Sequence, residues 1–460
     1  MTKTIDLESP ILEGGIENTH FFNGRLLAAE DLRSQQEADY LHRGKLGRCT
    51  GEGVVKGLET AIVAQGTGGT VPTLSITPGL ALNRKGQVLE LSEDINLKLV
   101  AGTSSSQTGT GLFSDCKMSA PGLIPTGTGF FILVAAPASA YKGKAPMHYP
   151  GDEGKISGCG YRYDVDGIQF KLVTLDVTNP SIVPGVFGEY IRKGLWLGGP
   201  RIRSKLRNLM AHFCLGTNQA GGFCADLFAA PDPEEDAHQY GPLDALRKLK
   251  CLDDSHVPLA LILWTFDKGI EFADMWAVRR KVHTQTPFAA VPFYPGQRRR
   301  AELEAVYLQF QQHLQDLRPA TLRSVSFSSI VAKDYFCFLP AVGFIPLEGA
   351  EAGKNVDDIA FFNRLTVRDP MFIDGVRVRS LLDVSFSFEP INLESKKFLW
   401  LYVVTQNMEL IEKQPLKGVM PYLIFSSGHL PFQGQARFDL SNWDYGNYSP
   451  GAPGKQAKGG

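Results

Sequence analysis

Apolar runs in this chain are short, and many end in turn-forming residues. Phe21-Phe22 stops at Asn23-Gly24, Ile76 at Thr77-Pro78-Gly79, and Leu80-Ala81-Leu82 at Asn83-Arg84-Lys85-Gly86. Gly reaches positive φ without steric cost and Pro pre-sets the turn, so such residues interrupt a strand rather than extend a helix. The chain is therefore expected to fold into many short strands joined by tight turns. The 48 Gly and 28 Pro among 460 residues agree. At about 150 residues per domain, this length predicts roughly three domains, long enough to bury cores without disulfide or metal staples. The expected class is mixed α+β and β-rich: several small antiparallel β domains, an α/β middle and an N-terminal docking helix.

Residues 1–50 read as a docking arm and helix. The helix is expected over about residues 28–46, where Leu32, Gln36 and Tyr40 recur at i, i+4, i+8. That is a thin stripe, and charged residues from Glu30 to Lys45 cover the rest, so the helix can bury little by itself. Residues 51–185 read as a first β domain. It holds an exposed Ser/Thr/Gly-rich loop at 101–129, a buried strand at 130–136, a second loop at 151–160 and a strand at 168–177. Residues 186–320 read as the α/β middle. Ser204 is the expected N-cap of a helix bearing Leu206, Leu209, Met210 and Phe213, residues 231–241 form an acidic loop, and 257–264 form a central strand. Near 298–317 an amphipathic helix carries Leu303, Val306, Tyr307, Phe310, Leu314 and Leu317 until Pro319 ends it. Residues 321–450 read as a second β domain, with strands expected at 336–339, 361–367, 376–378, 384–388, 398–404 and 422–426. Residues 451–460 read as a flexible tail.

Charge and chemistry narrow the function. Lys plus Arg is 47 against 48 Asp plus Glu, a formal charge of −1, which argues against coating nucleic acid or lying on anionic lipid. No apolar stretch of about 18 residues suggests membrane insertion, and no secretory signal is visible. Seven scattered cysteines read as reduced thiols, consistent with cytoplasmic assembly. The chain lacks zinc-protease, hydrolase, phosphate-loop and dinucleotide motifs, so neither catalysis nor a cofactor is expected. His212, Cys214 and Cys224 read as a structural histidine and buried thiols rather than a metal site. Asp253-Asp254, Asp357-Asp358 and Glu234-Glu235-Asp236 read as solvated loop carboxylates. Arg298-Arg299-Arg300 and Arg279-Arg280-Lys281 read as solvated faces, with docking of an acidic partner as the alternative.

Some stretches are more specific. His20-Phe-Phe-Asn-Gly-Arg-Leu-Leu-Ala-Ala-Glu-Asp-Leu32 precedes the helix. Gly51-Glu-Gly-Val-Val-Lys-Gly-Leu-Glu59 follows it, and then Ile76-Thr-Pro-Gly-Leu-Ala-Leu-Asn-Arg-Lys-Gly-Gln-Val-Leu-Glu-Leu91. Together they resemble a family of structural proteins encoded with phage-tail-like contractile injection systems. Trp276-Ala-Val-Arg-Arg280 and Phe361-Phe-Asn-Arg-Leu-Thr-Val-Arg-Asp-Pro370 are similar to that family as well. The order of elements also resembles, in layout, the type VI secretion baseplate subunit related to phage receptor-binding proteins. The resemblance implies a baseplate or baseplate-peripheral structural subunit whose partners are other baseplate and tail subunits and symmetry-related copies of itself.

On this reading Phe21, Phe22, Arg25, Leu26, Leu27 and Asp31 are the candidate docking residues. The aromatics would fill pockets on a neighbour, and Arg25 and Asp31 would set register through charged hydrogen bonds. Two alternatives stand beside it. One is a fibre-like module binding a receptor or carbohydrate through Trp443, Tyr445 and Tyr448. The other is a cell-wall hydrolase, which would need a buried acid in a cleft.

Overall fold

The structure, a computed structural model, describes residues 12–13, 15–24, 26, 28–67, 70–99, 128–147, 158–177, 179, 199–215, 242–265, 267–283, 297–317, 330–347, 359–367, 370–385, 390–394, 398–413 and 422–427. The chain is mixed α+β and β-rich, built on several small sheets. Helix α1 (Ala29–Thr50) leads into strands β1 (Gly53–Gly57), β2 (Thr60–Ala64), β3 (Thr73–Ile76), β4 (Gly79–Leu82), β5 (Val88–Leu91) and β6 (Ile95–Lys98). These strands make two antiparallel sheets, ordered β1-β4-β5 and β2-β3-β6.

The long strands β7 (Gly129–Met147) and β8 (Gly158–Leu175) pair with each other. They are followed by helices α2 (Pro200–Cys214) and α3 (Pro242–Lys248) and strands β9 (Val257–Thr265) and β10 (Gly269–Asp274). The resulting sheet is ordered β10-β9-β7-β8, with Gly129 opposite Trp264 and Ala135 opposite Val257. The domain boundary expected near residue 185 therefore falls between strands of one sheet. Alternation along β7 explains its unbroken apolar run. Phe130, Ile132 and Val134 face a core with Leu206, Met210 and Phe213 of α2 and Leu246 of α3. Phe131, Leu133 and Ala135 face a core with Val54, Leu74, Ile76 and Leu89 of the first two sheets. A strand covered on both faces reads as continuous apolar sequence, and each such buried side chain contributes about 1.5–3 kcal/mol.

Helix α4 (Gln297–Asp316) confirms the strongest helical periodicity, and it links two parts of the molecule. Ala305 and Val306 pack with Leu215 and Trp276, while Phe310 and Leu314 enter the C-terminal core beside Phe336, Phe361 and Phe425. That part comprises α5 (Ala332–Tyr335), β11 (Phe338–Leu339), β12 (Val342–Pro346), a 3-10 turn (Ala360–Phe362), β13 (Thr366–Val367) and β14 (Met371–Ile373). It continues with α6 (Gly375–Ser385), β15 (Ile391–Asn392), β16 (Phe398–Val404), α7 (Thr405–Lys413) and β17 (Tyr422–Ser426). Its main sheet runs β12-β17-β16-β13, and β13 and β14 both pair with β16 in parallel.

Several expectations are corrected here. Phe361-Phe362 lie in the 3-10 turn, and Val376–Val378 lie in α6 rather than a strand. Val378, Leu381 and Leu382 pack at helical spacing, a period hidden by the local Val-Arg-Val alternation. Residues 158–160 belong to β8 rather than a loop. Helix α2 starts at Pro200 after Gly199, so Ser204 is not its cap but a buried interior residue. Cys49, Cys159, Cys214 and Cys337 are free, but Cys251 is disulfide-bonded, which corrects the reading of all seven cysteines as reduced thiols. Of the loop expected at 101–129, Gly129 instead opens β7 and residues 101–127 lie outside the described residues, as do the acidic loop at 231–241, Trp443, Tyr445, Tyr448 and the tail.

One polar face of α2 is buried and joins several elements. Arg207 Nε donates to Asp274 Oδ2 at 2.6 Å and Nη1 to Asp316 at 2.8 Å. Gln309 Nε2 donates to the same Asp274 oxygen at 2.9 Å, and the Ala277 N–H donates to Asp274 Oδ1 at 3.0 Å. Asn208 accepts the N–H groups of Cys337 and Phe338 and donates to the Phe338 carbonyl. Ser204 bridges His313 of α4 and the Tyr335 carbonyl. Replacing Arg207 with Met should leave the Asp274 charge buried without its cation and cost about 3–5 kcal/mol in denaturant unfolding. A loss under about 1 kcal/mol would show that the pair is not a structural joint.

Burial pushes His212 down to about 3 and holds His313 well below its usual value, so both are neutral in the folded protein near pH 7. The unfolded chain binds protons near pH 6.5 that the folded chain refuses until much lower pH, so stability should fall as pH drops below 6.5. The expected slope is up to about 1.4 kcal/mol per pH unit for each histidine. His212→Phe should flatten part of that slope in unfolding curves between pH 7 and 4. An unchanged slope would exclude His212 as a source.

Candidate docking surface

Helix α1 begins with a local cap. The Ala28 N–H donates to Asp31 Oδ2 at 2.9 Å, and Glu30 and Asp31 place negative charge at the positive end of the helix dipole. The arm before it folds back, with Thr19 Oγ1 donating to the Asp31 carbonyl at 2.9 Å. Asp31 is thus engaged in its own helix start. Gly24 has φ +90, the left-handed conformation that the Asn-Gly pair predicts, and it turns the chain between Phe22 and Leu26.

The surface so presented is apolar. Phe21 is 51% exposed, Phe22 59% and Leu26 93%. Phe22 lies against His20 with ring centroids 6.0 Å apart. Leu32, Leu41 and Leu46 of α1 are also exposed. Arg25 and Leu27, the remaining two candidate residues, lie outside the described residues. Leu41 and Leu46 were not singled out from sequence, because they lie off the Leu32–Gln36–Tyr40 spacing. Ala38 is buried, and among the described residues no other α1 side chain is.

What holds α1 to the body is one tyrosine and a pair of glycines, not an apolar face. Tyr40, Gly44 and Gly47 recur at i, i+4, i+7 and cross the turn between β4 and β5. The Tyr40 hydroxyl meets Gln87. A Cβ on Gly47 would collide with the Gly86 backbone, and one on Gly86 would collide with the Gly44 carbonyl. Gly86 also has φ +79. Each mid-helix glycine costs about 1 kcal/mol of propensity relative to Ala, offset here by backbone-to-backbone contact.

Two of the sequence stretches that carried the resemblance, 51–59 and 276–280, meet beneath this contact, whereas Phe361 and Phe362 of a third lie in the C-terminal core. The Glu52 and His283 backbones exchange N–H to carbonyl bonds at 3.0 Å, and the Val54 N–H donates to the Arg280 carbonyl at 2.8 Å. Arg279 donates through Nη1 to the Leu58 carbonyl at 2.9 Å and through Nη2 to the Gly57 carbonyl. Gly57 and Leu58 both have positive φ, so Arg279 clamps a sharp turn between β1 and β2. The sequence reading of Arg279 as part of a solvated face is corrected: it is 6% exposed, and burial pulls its guanidinium down to about 10, still charged at neutral pH. Arg300 pairs with Asp383 at 2.8 Å.

Charges close the same joint. Arg84 pairs with Glu52 at 2.6 Å and with Asp244 at 3.3 Å, and Arg247 pairs with Glu52 at 3.7 Å and Asp254 at 3.4 Å. Lys85 pairs with Asp253 at 3.0 Å, so Asp253 and Asp254 belong to an ion-pair network rather than a purely solvated loop. Burial raises the Glu52 carboxyl, but the Arg84 hydrogen bond and the charges of Arg84, Arg247 and His283 outweigh it and hold Glu52 below its usual value. Burial and the nearby Lys171 push His256 down to about 4. A cavity of about 50 Å³ opens here among Glu52, Arg84, Asp244, Arg247 and His256. That is room for a water or two, between charges already matched to one another.

His212 and Cys214 are buried, and among the described residues no group of three or more His, Cys, Asp or Glu is placed to hold a metal. Among the described residues, no helix is long and apolar enough to cross a membrane. No protein-family model and no curated protein matches the chain.

Gly47→Ala should force α1 off the β4–β5 turn while leaving the sheets folded. Limited trypsin digestion should then cut at Arg43, Lys45 or Arg48 at least about fivefold faster, given an overpacking cost of about 1–3 kcal/mol. Unchanged cleavage would show that the glycine contact does not hold the helix.

Proposed function

We propose that this chain is a structural subunit of a phage-tail-like contractile injection particle, at or beside the baseplate, and that it assembles by docking its N-terminal arm on neighbouring subunits. One observation carries the reading. Phe21, Phe22 and Leu26 stand exposed on an arm whose turn and helix cap are already formed. An ordered segment with exposed aromatics loses little entropy on binding, and its apolar surface is favourable to bury. The meeting of three of the family-like stretches, 51–59, 76–91 and 276–280, at one joint supports the same reading, since it gives their glycines and arginines a common structural task. The role is assembly: interfaces of standard size or larger with other tail and baseplate subunits, assembled in the cytoplasm, with no nucleic acid, no membrane insertion and no catalysis.

Deleting residues 1–46 tests it. The remainder should lose only the helical signal of α1 from its circular dichroism spectrum and keep cooperative unfolding, because its cores lie elsewhere, yet be lost from particles sedimented out of the native host. Phe21→Ala with Phe22→Ala should reduce incorporation in the same direction. Incorporation of the truncated chain at normal stoichiometry would overturn the proposal.

A further inference from the structure

Strands β7 and β8 run on past the body of the molecule. β9 covers β7 only from Gly129 to Ala135, whereas β8 stays paired with it as far as Met147 opposite Gly158. The distal ten residues of β7, from Ala138, make a two-stranded ribbon about 30 Å long at 3.3 Å per residue. Residues 139–144 and 161–167 are all exposed. Tyr141 stacks on Tyr161 with centroids 4.9 Å apart, and the Arg162 guanidinium lies 5.0 Å from the Tyr163 ring centre. A two-stranded hairpin is only marginally stable in water, whereas three or more strands stabilise one another.

The two edges of the ribbon differ. The β7 edge is interrupted by Pro137 and Pro146, which lack an N–H, and by Gly143 at φ +70; such residues discourage strand addition. Along β8, residues 159–170 contain no proline. β8 is the terminal strand of its sheet, and among the described residues its outer edge has no strand partner.

The β8 sequence is complementary to itself. In an antiparallel pairing centred on Tyr163, residue 163 meets 163, residue 161 meets 165, and residue 162 meets 164. The pairing sets Tyr opposite Tyr, with two Tyr–Val pairs and two Arg–Asp pairs around it. Aromatic, aromatic–aliphatic and opposite-charge cross-strand pairs all stabilise sheets, and a two-fold axis supplies each contact twice. Moving the centre one residue, to Asp164, would set that carboxylate against itself, so charge selects the register.

We infer that a second copy of this chain adds to the β8 edge, joining two ribbons through residues 160–166 into one continuous sheet across a two-fold axis. The pairing would supply a symmetry-related copy of the kind a particle subunit needs, but it does not rest on the particle reading and is tested apart from it.

The test is sedimentation equilibrium of the full-length chain over a concentration series, with three variants. Wild type is expected to dimerise. Arg162→Asp sets Asp against Asp164 twice, and Asp164→Arg sets Arg against Arg162 twice, so each single variant should weaken the dimer about tenfold or more. The double variant Arg162→Asp with Asp164→Arg restores opposite charges and should recover the wild-type dissociation constant. All substituted positions are exposed, and matched unfolding curves confirm that the variants fold. A wild type that stays monomeric overturns the inference. So does a dimer indifferent to either single charge reversal, and so does failure of the double variant to recover.

Discussion

The Asp274 carboxylate organises the centre of the molecule. It ends β10, accepts from Arg207 of α2 and Gln309 of α4, and holds the Ala277 N–H of the turn that leads to Arg279. The side-chain exposures of Arg207 and Asp274 are 8% and 0%, so the charges have left water almost entirely. Removing two ions from water is expensive, and a buried pair often contributes no more than apolar residues of equal volume would. What the cluster contributes is geometry. Arg207 Nε and Gln309 converge on one Asp274 oxygen, and α2 must sit at one height along α4 for Arg207 to reach Asp274 and Asp316 while Ser204 reaches His313. The same helix holds Cys337 and Phe338 through Asn208. The orientation of the C-terminal part relative to the middle sheet follows from a row of polar side chains on one helix.

The joint on the other side of that sheet works by a different rule. There the chain removes side chains instead of burying them. Gly44, Gly47 and Gly86 let a helix backbone lie directly on a turn, and Gly53, Gly57 and Gly79 do the same where β1 meets the Arg280–Lys281 backbone and the Pro78 turn. Close approach substitutes for an apolar stripe, which leaves the leucines of α1 unused by the body. The ion pairs of Glu52, Arg84, Asp244 and Arg247 then fix the register of this contact from below.

Much of this could be read from sequence where one period dominated. The amphipathic spacing from Leu303 to Leu314 gave α4, and the run from Val257 to Trp264 gave the central strand β9. The arm was legible because Asn23-Gly24 marks its turn and the next helix has too few apolar residues to bury. Other features carry no such signal. The pairing of β7 with β9 joins segments more than a hundred residues apart, and no local pattern records it. A pair of docking glycines looks like weak helix sequence. Ser204 looks like a cap because serine favours helix starts, yet here it hydrogen-bonds across a buried interface. Arg279 looks solvated because arginines usually are; its role as a clamp on two carbonyls depends on a strained turn that folds from the far end of the chain.

The distribution of apolar surface ties these parts together. The central sheet is covered on both faces, and α4 carries burial onward into the C-terminal core. Among the described residues, exposed aromatics stand together in two places, the arm before α1 and the ribbon of β7 and β8. Both are narrow elements with no layer of their own behind them, and both keep a definite shape through local bonds: a helix cap and a left-handed Gly24 in one, a strand ladder and a tyrosine stack in the other. A monomer whose only task was to stay dissolved would gain from polar residues at these tips. Placing aromatics there, on segments already ordered, lowers the entropy lost on association and leaves the burial gain to the bound state. The two tips also differ in kind. The arm is irregular, whereas the ribbon presents a strand edge, so the proposed docking of the arm and the proposed pairing of the ribbon would use separate surfaces and would not compete.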